Sequence, residues 1–215
     1  VTSTKDGIEI METAKKAGRK VLVNMFLRYD PYCRMIHDLN QSKEYGALKH
    51  LAVFRRTPPI WGRLGSDTIA ISLMIHELDF ITWLSKDAKL LACNVTANSD
   101  DSGAVMDCLL SCDPFSVHVQ GNSMLALPSP FEAGYHATFE NACISYIERS
   151  SRDFFESECC IYHNGKKEKI TLEREEHCKA VLAAAIKDFL NEKESGLAIE
   201  NALPGLFLAF ELSKH

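Results

Sequence analysis

Three things are scarce in this sequence: long apolar runs, regularly spaced cysteines and clustered positive charge. No uninterrupted apolar run reaches the roughly 18 residues that mark a membrane-spanning helix, so no transmembrane span is expected. The 24 basic residues are outnumbered by 29 acidic ones, the formal net charge is −5, and no basic stripe runs along the chain. Electrostatic binding to nucleic acid is therefore not expected. The opening residues, VTSTKDGIEI, lack the basic and apolar stretches of a secretory signal, which points to a reducing, cytoplasmic setting. Eight cysteines are present, but irregularly spaced. Cys108 and Cys112 share one face of an expected strand without forming a C-x-x-C knuckle, and the vicinal Cys159 and Cys160 point to opposite faces. The expectation is buried, reduced thiols and no metal site. In such a compartment the sequon Asn94-Val95-Thr96 carries no meaning. Internal repeats and low-complexity linkers are also missing.

What is present is an ordinary globular composition, 46% apolar and 25% charged, with 215 residues to build a core. The most unusual stretch is 69–84, IAISLMIHELDFITWL. It reads as one helix, apolar on nearly every side and hence buried. Yet His76 and Asp79 stand one turn apart on it. Burying such groups is costly unless they are partnered, so they either find partners or line a cavity. Ser66 or Asp67 is the expected N-cap.

At the start of the chain, Ser3 and Asp6 form an S-x-x-D start signal, Ile10, Ala14 and Ala17 follow at helical spacing, and Gly18 suits a helix end. Val21-Leu22-Val23 then reads as a short parallel strand covered on both faces. Helix, two-residue connection and strand make half of a βαβ unit whose other strands are missing, so the chain is expected to begin inside a doubly wound domain. Asp30-Pro31 opens a second helix, with Tyr32, Met35, Ile36 and Leu39 on its stripe and an end near Gly46. Residues 47–57 read as a strand stopped by Pro58-Pro59. Short strands are expected near 89–98, 104–112, 115–124, 133–140, 142–149, 158–163 and 167–172, with Asn164-Gly165 as the strongest hairpin signal. Helices over 175–190 and 198–212 close the chain. The fold class is α+β: an open, mostly antiparallel sheet packed with helices, preceded by the last helix and strand of a Rossmann-type domain. Such a sheet needs its second face covered, and a second copy of the chain is the plainest cover. A homodimer or higher homo-oligomer through the sheet face is expected.

In this order the elements resemble the glucose–fructose oxidoreductase, inositol dehydrogenase and rhizopine-catabolism (Gfo/Idh/MocA) family. The segment AKKAGRKVLVNMFLRYDPYCRMI (14–36) is similar to that family's last dinucleotide-domain helix and strand with its R-F/Y-x-P segment. The segment LMIHELDFITWL (73–84) is similar to its H-x-x-D-x-x-x-W/x-L helix, and 196–212 to its closing helix. The resemblance spans essentially the whole chain but only the C-terminal part of the family. It implies that 1–27 is a remnant of the dinucleotide-binding domain and that 28–215 is a C-terminal α/β substrate-binding and oligomerisation domain. It also implies an NAD- or NADP-dependent hydride transfer to or from a small molecule, a sugar, cyclitol or related alcohol or carbonyl. The family's glycine-rich phosphate loop and its Glu-Lys-Pro motif with the catalytic lysine are absent from this chain. Glycine loops at helix N-termini are what hold a pyrophosphate, so the cofactor belongs to the full-length protein. The fragment alone is expected to be inactive and not to bind it.

His76 matches the family's helix histidine beside the reacting hydroxyl, where an imidazole titrating near neutrality suits proton transfer; the plain alternative is a satisfied core histidine. Ser72 stands four residues earlier, where family members commonly place an aspartate. A hydroxyl can orient a substrate or the imidazole but cannot serve as a carboxylate. Asp79 either takes over part of that role or holds a nearby loop. Arg28 lies beyond a strand end, where open α/β sheets present ligand groups; it meets a substrate or phosphate, or else bridges domains. Asn24 would approach the nicotinamide. Arg55, Arg56 and Trp61 flank the loop before the helix, and an aromatic face with arginines suits a sugar-like polyol. Ser72 also leaves open a non-catalytic ligand-binding or regulatory member of the same fold.

Overall fold

Local signals at the start of the chain act as the sequence predicts. In the computed structural model, which describes residues 3–173 and 176–215, the Ser3 hydroxyl opens helix α1 (Thr4–Lys16) by accepting the Asp6 N–H. Gly18 closes it at φ +62°, a conformation that favours glycine. Residues 21–23 are extended, but their partner runs antiparallel: Leu22 bridges Ala198, and the N–H groups of Val23 and Ile199 donate to the carbonyls of Leu197 and Val21. The nearest unpaired backbone is the segment leading into the last helix, and it arrives from the opposite direction. A 3-10 turn (Phe26–Tyr29) follows. Asp30 then caps α2 (Pro31–Ser42) by accepting from the N–H groups of Tyr32 and Cys33. The helix stops at left-handed Lys43, before the expected Gly46.

Next come β1 (Leu48–Arg56), the short α3 (Ile69–Ser72), α4 (Ile75–Leu84), β2 (Lys89–Ala97), β3 (Ala104–Cys112) and β4 (Phe115–Asn122). They are followed by β5 (Phe131–Phe139), β6 (Ala142–Ser150), β7 (Phe155–His163), β8 (Lys166–Ile170), α5 (His177–Phe189) and α6 (Ile199–Leu212). Glu175, the expected first residue of α5, lies outside the described residues. The strands form one open 8-stranded sheet in the order β2-β3-β4-β1-β5-β6-β7-β8. Among the described strands of this sheet β1 and β4 pair in parallel and the other neighbours pair antiparallel. The architecture is the α+β class that the sequence indicates. Asn164 and Gly165, at φ 50° and 71°, make the predicted tight turn between β7 and β8.

Alternation along the central strand β1 decides what reaches the core. Leu51 and Val53 point to the helical layer, where they meet Ile36 of α2, Leu78 and Ile81 of α4, and Leu208 and Leu212 of α6. Arg55 follows in the same phase and is buried too. A smaller core of Met25, Val181 and Leu197 ties the early segment to α5 and α6. The opposite sheet face carries His136, Thr138 and Tyr162, all exposed, and the half-buried Ser145. No helix among the described residues is long and apolar enough to cross a membrane.

Candidate active site

The stretch 69–84 is not one helix. Thr68, rather than Ser66 or Asp67, is the N-terminal cap of α3, without a side-chain capping bond; its hydroxyl donates to the Gly65 carbonyl, and the Ser66 N–H donates to Asp101. After Ser72 the chain bulges: the Met74 N–H bonds back to the Ile69 carbonyl, five residues earlier. Single bulges of this kind recur at functional sites. Room for it comes from Gly121 on β4, where a Cβ would lie 2.6 Å from Met74 Cγ and Sδ. The extra residue rotates α3 relative to α4. Ser72 therefore leaves the register that would stack it on His76, and it is exposed.

Helix α4 carries three titratable groups near its start, and two of them are neutralised by buried arginines. Arg28, from the 3-10 turn, donates through Nε and Nη2 to the two Asp79 carboxylate oxygens at 3.0 and 2.8 Å. Its remaining contacts are the Asn201 and Gly196 carbonyls and the Trp83 ring. Arg55 of β1 binds Glu77 through Nε at 2.8 and 2.9 Å and through Nη2 at 2.7 Å. Burial lifts the carboxyls of Asp79 and Glu77 above their ordinary range, partly offset by their arginines. Burial pulls the other way on Arg55, but the Glu77 carboxylate outweighs it and holds the guanidinium charged. Arg28 and Asp79, each read from the sequence either as a substrate contact or as a structural link, are bonded to each other. The Arg55–Glu77 pair went unread in the sequence; its signal was an arginine in the inward phase of a core strand.

His76 is the chemically free member of the trio. Its ring packs on Phe26 with centroids 4.4 Å apart and planes at 55°. Burial and the nearby Arg55 cation push its pKa down to about 3. At neutral pH the ring is a neutral imidazole, with one N–H to donate and one lone pair to accept. In place of a ring titrating near neutrality, burial beside the Arg55 cation favours the neutral form, and protonating it works against that charge. Asn24 is exposed, two residues before Phe26. The Arg55 guanidinium lies over the rings of Phe26 and Phe131, 5.9 and 5.2 Å from their centroids. Phe131 touches Trp61 at 5.3 Å, and the Trp61 side of that pair is half exposed. A wall thus runs from His76 and Phe26 through the Arg55 guanidinium to Phe131 and Trp61. Arg56, placed beside Trp61 in the sequence, instead turns to Gln120 and Glu132 and stacks on Phe54.

A cavity of about 650 Å³ lies elsewhere, between α1 and the connection from α5 to α6. Its central charges, Lys20 and Asp188, are already bonded to each other, which leaves His76 and its ring neighbours as the candidate site. Among the described residues no group of three or more His, Cys, Asp or Glu could hold a metal ion. Among the described residues no glycine-rich turn of the pyrophosphate-binding kind leads into a helix N-terminus, so these residues do not fit a dinucleotide pyrophosphate.

No family sequence profile matches the chain, and no curated protein matches it by sequence. Solved structures do. UDP-N-acetylglucosamine 3-dehydrogenase GnnA from Acidithiobacillus ferrooxidans superposes with a TM-score of 0.75 at 15% identity, covering 99% of this chain and 66% of that one. KijD10, a 3-ketoreductase from Actinomadura kijaniata bound to NADP and TDP-benzene, gives 0.79 at 13% identity, over 97% and 66% of the two chains. A candidate NADPH-dependent oxidoreductase from Desulfitobacterium hafniense gives 0.81 at 14% identity, over 99% and 67%. The chain shares the fold of these neighbours, which are oxidoreductases of the Gfo/Idh/MocA type. The chain spans about two-thirds of the length of these neighbours.

Proposed function

We propose that this chain is the substrate-binding and oligomerisation part of an NAD- or NADP-dependent oxidoreductase moving hydride to or from a sugar, cyclitol or related alcohol or carbonyl. In this reading 28–215 is the substrate domain and 1–27 the end of the nucleotide domain. The observation that carries it is His76: a neutral ring on a helix pinned from two sides, at one end of a wall of aromatic rings and the Arg55 guanidinium. The wall offers apolar faces to the C–H side of a sugar ring. One neighbour is named as the dehydrogenase of a UDP-sugar and another binds a TDP-linked ligand, which makes nucleotide-linked sugars the first substrates to try.

The tasks of this chain's own residues follow from their states. His76 accepts a hydrogen bond from the carbinol hydroxyl, or donates one to the carbonyl oxygen, and so fixes which face of the carbon is presented. Phe26 holds the imidazole plane, and the two arginine pairs hold α4. Bound nicotinamide would supply the hydride chemistry; the residues that cradle its phosphates lie outside this set. Alone, the chain should therefore show no NAD(P)H binding by fluorescence titration, and a micromolar complex would overturn that division of labour. In the full-length protein, His76→Ala should lower turnover of UDP-N-acetylglucosamine or a responding free sugar by ~10²-fold, the scale of a positioned proton-handling group. Unchanged turnover would remove His76 from the mechanism.

Ser72 supports a second reading, a non-catalytic ligand-binding member of the same fold, because no carboxylate replaces it beside His76. The two part on one assay. Sugar binding without any NAD(P)-linked oxidation or reduction by the full-length protein would favour the second.

A further inference from the structure

Cys93 on β2 and Cys108 on β3 stand directly opposite each other in an antiparallel ladder, with their Sγ atoms 2.9 Å apart. Facing residues in such ladders have Cα atoms roughly 4.5 or 5.5 Å apart. Both values fall inside the span of about 4.4–6.8 Å that a disulfide bridges. Cys108 is buried, whereas Cys93 is only partly covered, and β2 is an edge strand bonded to β3 alone. The ladder slips register between Leu90 and Ala92, immediately before Cys93. A reactive pair thus sits where the sheet edge is least supported by its neighbours.

We propose that Cys93 and Cys108 form a reversible cross-strand disulfide site, oxidised by a peroxide. The Cys93 sulfur, the accessible one, attacks the O–O bond of hydrogen peroxide, leaving a sulfenic acid on Cys93 and releasing water. The Cys108 sulfur then attacks the Cys93 sulfur: an S–S bond forms, the S–O bond breaks, and the hydroxyl leaves as a second water with the Cys108 proton. Two thiols and one peroxide become one disulfide and two waters, with two electrons passing from sulfur to oxygen. Burial, with Cys93 as neighbour, holds the Cys108 thiol well above its ordinary pKa, so the first attack falls to the more accessible Cys93. The bond staples the edge strand to the sheet, and a thiol reductant reverses it.

The test treats the purified chain with hydrogen peroxide and counts thiols after denaturation. The expected result is loss of two of the eight thiols, with a mass decrease of about 2 Da for the two hydrogens removed. Cleavage before aspartates should then release the Cys93 and Cys108 peptides joined. Cys93→Ser and Cys93→Ala should each abolish the linkage, whereas Cys112→Ser, on the same buried face of β3, should leave it intact. The oxidised protein should melt a few degrees higher than the reduced one. The proposal is overturned if all eight thiols survive, if the joined peptides are others, or if the Cys93 variants lose thiols to the same extent as the parent.

Discussion

Among single residues, His76 makes the sharpest physical statement. Unfolded, its imidazole titrates at the ordinary 6.5; folded, burial and Arg55 hold it near 3. Between those values only the unfolded chain takes up the proton. The folded state therefore has its full stability above pH 6.5 and loses stability as the pH falls through this window. From pH 6.5 to 5 the loss attributable to this one ring is about 2 kcal/mol. Urea unfolding of the parent and of His76→Gln at pH 7 and pH 5 isolates it, since the other histidines are common to both. The parent should lose about 2 kcal/mol more than the variant on acidification; equal losses would mean that the ring titrates normally in the fold. His76 and Asp79 were legible as an anomaly on an apolar helix. Glu77 was not, because a helical glutamate is ordinarily solvated. Its burial depends on Arg55, 22 residues earlier and on the sheet, a contact that no local pattern announces.

Element by element, the agreement between sequence and structure is close wherever a local rule decides. The Asp30 cap, the Asn164-Gly165 turn and the alternation along the strands are such cases. It fails at the break between α3 and α4, whose cause is a fit between Met74 and Gly121 on another element. It fails also at residues 21–23, whose pairing partner lies at the other end of the chain. The position of α4 rests on two tertiary contacts that can be tested separately. Arg28→Met leaves the Asp79 carboxylate buried without its partner and should cost about 3–5 kcal/mol. The double variant Arg28→Met/Asp79→Leu removes both charges and should recover most of that loss in urea unfolding. A double variant as unstable as the single one would mean that packing, not charge, dominates the clamp. The second contact is Gly205 of α6, whose added Cβ would lie 2.9 Å from Asp79 Cα and 3.0 Å from its nitrogen. Helix propensity alone would make Gly205→Ala stabilising by up to about 1 kcal/mol. Forcing the two backbones apart should reverse the sign, to a net loss of about 1–3 kcal/mol. A raised melting temperature would show that α4 and α6 can separate freely.

At the scale of the whole molecule, the sheet is lopsided. Helices α2, α4 and α6 cover one face, and the other presents Leu109 at 50% exposure and Tyr162 at 43%, with His118 and His136 flanking Ala52 between them. A large antiparallel sheet tolerates one wet face, so openness alone does not require a partner. The row that crosses the middle of the face is the better argument: Leu109, His118, Ala52, His136, Ser145 and Cys160 carry no lysine, as in the middle of protein–protein interfaces, whereas at the β8 edge Lys167 lies over the Tyr162 ring. Two copies meeting about a two-fold axis would each place Leu109 and Tyr162 in the shared surface. Light scattering on the purified chain should then give twice the 24.1 kDa chain mass. Leu109→Arg should return the monomer mass while leaving the far-ultraviolet circular dichroism unchanged, because an arginine at a half-exposed position can remain solvated in the monomer but must be desolvated in the pair. A monomer in the parent at working concentrations would sink the dimer outright. A dimer that Leu109→Arg does not weaken would place its interface on another surface, such as the exposed Leu182, Ile186 and Phe189 side of α5, and would leave the outer sheet face as solvent-exposed surface.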